Sequence, residues 1–171
     1  IDRREFLRGT AAIVGAAAAT GVLAALAPQF AAARQVAPED ERIRTQRVEF
    51  DSPSGHGKGS GYLARPAKAT AALPLVLVAH ENRGLNPHIE DITRRLALAG
   101  YIAFAPDALH PQGGYPGDED SARAAFAKLD QAKVREDFLA AAAWLAQAEG
   151  GNARMGAVGF CWGGGMVNFL A

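Results

Sequence analysis

Cysteine is nearly absent: the 171 residues contain one, Cys161. A single cysteine excludes an internal disulfide and any multi-cysteine metal site, yet it leaves one nucleophile. Surplus charge is missing too. The 18 basic and 18 acidic residues cancel, so there is no electrostatic case for nucleic acid or an anionic surface as partner. The glycines at 156, 159, 163, 164 and 165 do not form G-x-G-x-x-G, and no Walker lysine accompanies them, which sets nucleotide cofactors aside. No cofactor and no metal is expected. Hydrophobic content of 49% and charged content of 21% are ordinary for a globular chain, and the length suits one domain.

Strongly apolar residues are scarce in the first 33 positions. Arg3-Arg4 precede an uncharged, alanine-rich run from Gly9 to Ala27, in which Ile13, Val14, Val22, Leu23 and Leu26 are the main apolar residues. Pro28 ends that run, and Ala31-Ala32-Ala33 offers an A-x-A-like cleavage site. Paired arginines before a mildly apolar segment read as a twin-arginine export signal, against a membrane anchor as the competing view. Residues 1–33 are therefore expected to be a cleaved leader, with a periplasmic or otherwise exported mature protein and no stable membrane anchoring. Residues 34–44 read as a charged, flexible lead-in containing Pro38, and residues 45–171 as the folded part.

Arg44 to Phe50 alternates polar and apolar, which predicts an exposed strand. Ser52 to Gly61 is dense in glycine and serine and predicts a turn, followed by a short strand over Gly61 to Arg65. Leu73 to Ala79 is almost all apolar and branched, the mark of a strand buried on both faces. Asn86-Pro87 supplies an N-cap and a proline at the first helical position. Ile89, Ile92, Leu96 and Ala99 then form one stripe, closed by Gly100. Tyr101 to Ala105 predicts another buried strand, and Pro111 to Gly117 a loop. Ser121 to Leu129 and Val134 to Ala148 predict helices, and Met155 to Gly159 a last strand. Strand and helix in alternation point to an α/β fold with a largely parallel sheet and helices on both faces.

The last strand runs into Gly159-Phe160-Cys161-Trp162-Gly163, Gly-x-Cys-x-Gly, the nucleophile-elbow pattern with cysteine in place of serine. So tight a turn needs small residues two places either side of the nucleophile. It would lift Cys161 off the sheet to a helix N-terminus, whose partial positive charge favours thiolate, and aim the Trp162 N–H at an oxyanion. A buried, inert cysteine is the plain alternative. The loop His80-Glu81-Asn82-Arg83-Gly84-Leu85-Asn86 should face the same crevice, outside the carboxyl ends of the strands. Read singly, Glu81 could be a rim carboxylate paired with Arg83, and Arg83 could bind a substrate carboxylate or only salt-bridge. His80 reads as a packed, hydrogen-bonded histidine rather than a base. His56 falls in a turn, His88 and His110 on the surface, and Asp107 reads as a turn-former.

The stretch His80 to Ile89, Ala105-Pro106-Asp107, the segment from Gly114 to Trp144, and Gly159 to Gly164 together resemble the dienelactone hydrolase family (carboxymethylenebutenolidases). The resemblance covers roughly residues 45–171. It implies a three-layer α/β-hydrolase-like fold, incomplete here at the C-terminus, and a cysteine-nucleophile hydrolase that opens a small-molecule lactone or ester through a thioester. By resemblance Cys161 matches the nucleophile, and Glu81 the acid that helps generate its thiolate. The N–H groups of Asn82 and Trp162 match the oxyanion hole. In that family the triad acid and histidine follow the nucleophile, and after Cys161 this sequence has no Asp, Glu or His. The chain is therefore expected to be a truncated form that shows no steady turnover alone. A broader esterase or thioesterase, and a non-catalytic binding or redox-sensing protein, remain as alternatives.

Overall fold

The computed structural model describes residues 34–171, so the expected leader and its cleavage site lie outside the described residues. β1 (Ile43–Ser52) and β2 (Gly57–Pro66) form an antiparallel hairpin. The turn between them is shorter than the sequence suggests, because the glycine-rich stretch is mostly strand. Phe50 pairs with Gly59, and a Cβ on Gly59 would strike the Phe50 ring. Glycine here makes room for a cross-strand ring rather than bending the chain.

β3 (Leu73–Ala79), β4 (Ile102–Pro106) and β5 (Gly151–Gly159) complete a mixed sheet in the order β1-β2-β4-β3-β5. β3 pairs parallel with β4 on one side and with β5 on the other, while β2 pairs antiparallel with β4. The chain thus leaves β3 in one direction and later returns to its opposite flank. That reversal makes the carboxyl end of β3 a topological switch point, where open α/β sheets bind ligands.

Among the described residues four helices flank the sheet: α1 (Pro87–Leu98), α2 (Glu119–Phe126), α3 (Gln131–Ala146) and α4 (Trp162–Leu170), with a 3₁₀ turn at His110–Gln112. Strand alternation divides the core. Leu75, Leu77 and Phe104 face Phe126, Phe138, Leu145 and Met166, whereas Val78, Ala64 and Ala105 face Ile89 and Ala97 of α1.

The stripe expected on α1 is only partly its buried face. Ala99 is exposed, and Asp91, Thr93 and Arg94 are buried instead. Arg94 Nε donates to the carbonyl of Val36 at 2.8 Å, and Nη1 to Tyr62 Oη at 3.1 Å. Asp91 Oδ1 accepts the N–H groups of Gln35 and Val36. These contacts bury Val36 and tie the start of the described chain to α1, satisfying a guanidinium that would otherwise be costly to desolvate.

Among the described residues β5 is an edge strand, and the apolar side chains of Met155, Leu139 and Phe169 near it are exposed.

Candidate active site

The elbow forms where the sequence predicts it. Cys161 stands between β5 and α4 with φ 54° and ψ −112°, a region costly for any residue with a Cβ. The turn can close because its glycines are bare. A Cβ on Gly159 would strike the backbone of Gly163, and one on Gly163 would strike the carbonyls of Ala79 and His80. The sulfur is left exposed at the N-terminus of α4.

β3 brings the second group of residues to the same place. Ala79 pairs with Gly159 on the adjacent parallel strand, and the Phe160 N–H donates to the Ala79 carbonyl at 3.1 Å. Glu81 and Cys161 each lie two residues beyond that pair, on strands whose axes are about 4.8 Å apart. Glu81, Asn82 and Arg83 are all part-exposed around this point.

Arg83 is engaged by two carboxylates. Its Nε lies 2.6 Å from Glu119 Oε2, off the line of the N–H, so the contact is an ion pair rather than an aligned hydrogen bond. Its Nη1 lies 3.8 Å from Glu81 Oε2. Glu119 opens α2 and also accepts hydrogen bonds from Tyr115 Oη and Asn86 Nδ2, both at 3.3 Å. Sequence reasoning misses Glu119 and Tyr115, since a carboxylate in the first turn of a helix is ordinary and nothing local ties it to a loop 36 residues earlier.

His80 is fully buried and hydrogen-bonded at both nitrogens, as a core histidine should be. Burial pushes its pKa below the usual 6.5, against the weaker opposing pull of Asp107 and Glu81. Its ring stacks on Trp162, and Trp162 Nε1 donates to Gln131 Oε1 at 3.1 Å. Asp107 Oδ1 accepts the N–H of Leu109 at 3.0 Å, a turn-forming contact.

A serine, a histidine and an aspartate do meet elsewhere, but not as a relay. Asp137 of α3 accepts from Ser52 Oγ at 2.6 Å, and its other oxygen lies 2.5 Å from His56 Nδ1. The carboxylate stands between hydroxyl and imidazole, whereas a relay needs the imidazole in the middle. Ser52 is also completely buried. This trio clasps the β1–β2 turn onto α3. No cluster of three or more potential metal ligands occurs among the described residues.

The sequence pattern of the dienelactone hydrolase family matches residues 60–171, which takes in the Glu81 loop, the elbow and everything between. The chain belongs to the dienelactone hydrolase family. A protein of Escherichia coli K12 provisionally named a hydrolase fragment, YghX, is 50% identical over 105 residues, covering 61% of this chain and 90% of that one. A protein of Salmonella typhi provisionally named carboxymethylenebutenolidase is 39% identical over 116 residues, 66% of this chain and 43% of the other. The crystal structure of a Klebsiella pneumoniae protein provisionally named dienelactone hydrolase superposes with a TM-score of 0.56 at 37% identity, over 71% of this chain and 52% of that one. This dienelactone hydrolase family chain thus spans about half the length of the latter two relatives or less.

Proposed function

We propose that this chain carries the cysteine nucleophile of a carboxylic ester or lactone hydrolase acting on a small molecule through a thioester. The observation that supports it most is the backbone of Cys161: positive φ held at a strand-to-helix turn whose flanking glycines admit no side chain. Strain of this kind persists where surrounding structure enforces it, and it presents the sulfur above the sheet.

In this reading Glu81 accepts the thiol proton and the sulfur attacks the carbonyl carbon. A sulfur–carbon bond forms, and the N–H groups of Asn82 and Trp162 hold the oxyanion beside the positive end of α4. The carbon–oxygen bond then breaks, and an enolate or alkoxide leaves with the electron pair. An enolate is a good leaving group, so little help from a strong acid is needed. Arg83 would meet a substrate carboxylate only by giving up one of its two carboxylate partners.

Within residues 34–171 Cys161 Sγ makes no hydrogen bond, and both nitrogens of His80 are already used. The thioester is therefore expected to accumulate on this chain rather than turn over. The leader supports export as part of the same proposal; the N-terminal mass of the secreted protein would locate the cleavage.

The test is competition at the sulfur. An enol lactone or activated ester should protect Cys161 from iodoacetamide in a time-dependent way, and Glu81→Gln should slow that protection. Labelling indifferent to the lactone, with reversible oxidation of Cys161 by peroxide instead, would favour a redox-sensing protein.

A further inference from the structure

His80 has a separate task for each ring nitrogen. The backbone N–H of Ala108 donates to Nε2 at 3.1 Å, so Nε2 is an unprotonated acceptor and the one proton of the neutral ring sits on Nδ1. Nδ1–H in turn donates to the carbonyl oxygen of Glu81 at 2.6 Å.

That carbonyl and the Asn82 N–H belong to one planar trans peptide, and so point in opposite directions. A carbonyl drawn toward the buried ring turns the Asn82 N–H away from the core. Among the described residues that N–H donates to no acceptor, nor does the N–H of Trp162. The same ring lies against the Trp162 indole, 5.6 Å between centroids and 21° from parallel. Phe126 and Phe138 hold it edge-on at 6.1 and 6.0 Å. One buried ring thus bonds the peptide that carries the Asn82 N–H and stacks on Trp162, the two sources of the N–H groups that would bind the oxyanion.

We infer that His80 is a positioning residue: through its Nδ1–H bond to Glu81 and its stacking on Trp162 it aims the backbone N–H groups of Asn82 and Trp162 at the reacting carbonyl oxygen, and it does not act as a base. This inference rests on the hydrolase reading above.

Two reactions of the same sulfur test it. Acylation by 4-nitrophenyl acetate forms a sulfur–carbon bond, breaks the carbonyl carbon–oxygen bond and passes through an oxyanion; 4-nitrophenolate leaves with the electron pair. Alkylation by iodoacetamide expels iodide from a saturated carbon and builds no oxyanion. His80→Gln keeps an acceptor where Nε2 stands and removes the donor at Nδ1, whereas His80→Asn offers an amide N–H where Nδ1 stands. The ratio of acylation to alkylation rates is expected to fall about tenfold or more in H80Q and to recover in part in H80N. An unchanged ratio in H80Q, or equal losses in both variants, would overturn the assignment.

If neither variant folds, the nitrogen-15 shifts of the wild-type ring decide: a protonated Nδ1 and a bare Nε2 are expected, and the reverse tautomer refutes the inference. A wild-type chain that iodoacetamide labels but the ester never acylates would sink the hydrolase reading, and this assignment with it. A wild-type chain that acylates normally, beside an unchanged ratio in H80Q, would sink the assignment alone.

Discussion

Replacing Gly163 by alanine should separate the elbow from the sheet. The added Cβ would fall 2.6 Å from the His80 carbonyl oxygen and closer still to that of Ala79, where real Cβ atoms essentially never come within 3.0 Å. Both obstacles are backbone, so no side chain can swing aside, and the start of α4 must back off β3 by roughly half an ångström or more. The Ala79 oxygen also accepts the Phe160 N–H, a bond that this movement stretches. Overpacking at about 1–3 kcal/mol, with about 1 kcal/mol for the weakened hydrogen bond, gives an expected loss of about 3 kcal/mol. Gly165 is the internal control. It lies two residues on in the same helix, and a Cβ there meets nothing within 4 Å. Gly165→Ala should therefore gain up to about 1 kcal/mol from helix propensity alone. Urea unfolding followed by tryptophan fluorescence should place the two midpoints roughly 2 M apart, given a slope near 2 kcal/mol per molar. G163A within about 0.5 kcal/mol of wild type would refute the claim that this turn closes only on bare glycine.

Cys161→Gly should be more stable than Cys161→Ala by about 1 kcal/mol, because glycine relieves the positive φ at some entropic cost; denaturant midpoints in the reverse order would count against strain at the nucleophile. Stability should fall as pH drops below about 6.5, since the unfolded chain then binds a proton that buried His80 refuses. The slope from this residue approaches about 1.4 kcal/mol per pH unit between its unfolded and folded pKa values, and it should be absent in H80Q when the two melts are compared. Asp137→Ala leaves Ser52 and His56 without their shared acceptor and should cost about 2–4 kcal/mol, with no change in the alkylation rate of the folded Cys161. Glu81→Gln should slow acylation by about 100-fold or more while unfolding at a similar urea concentration, because Glu81 is part-exposed and its removal opens no core.

What the sequence revealed were the features written into neighbouring residues. The apolar run of β3, the Asn86-Pro87 start of α1 and the glycine spacing of the elbow all stand where they were expected. The glycines before residue 61 read as turn because nothing local announces that Gly59 faces the ring of Phe50 across the hairpin. Arg94 is buried on α1 because Val36 and Tyr62 come to it from 58 and 32 residues away, which no local pattern announces. Likewise Asp137 meets Ser52 across 85 residues. Glu119 reaches Arg83 and His80 reaches Ala108 only once the sheet order has brought their loops together. Polar contacts of that range follow from topology, and composition or periodicity carries no trace of them.

The most direct measurement is the mass of the chain, acid-quenched seconds after mixing with an enol lactone, with the modified peptide mapped. Ring opening keeps the leaving oxygen within the adduct. The hydrolase reading therefore expects a gain of one whole lactone mass on Cys161, removable by neutral hydroxylamine as a thioester is. A sulfur that alkylates readily yet takes up no lactone, or an adduct that hydroxylamine leaves in place, would contradict it.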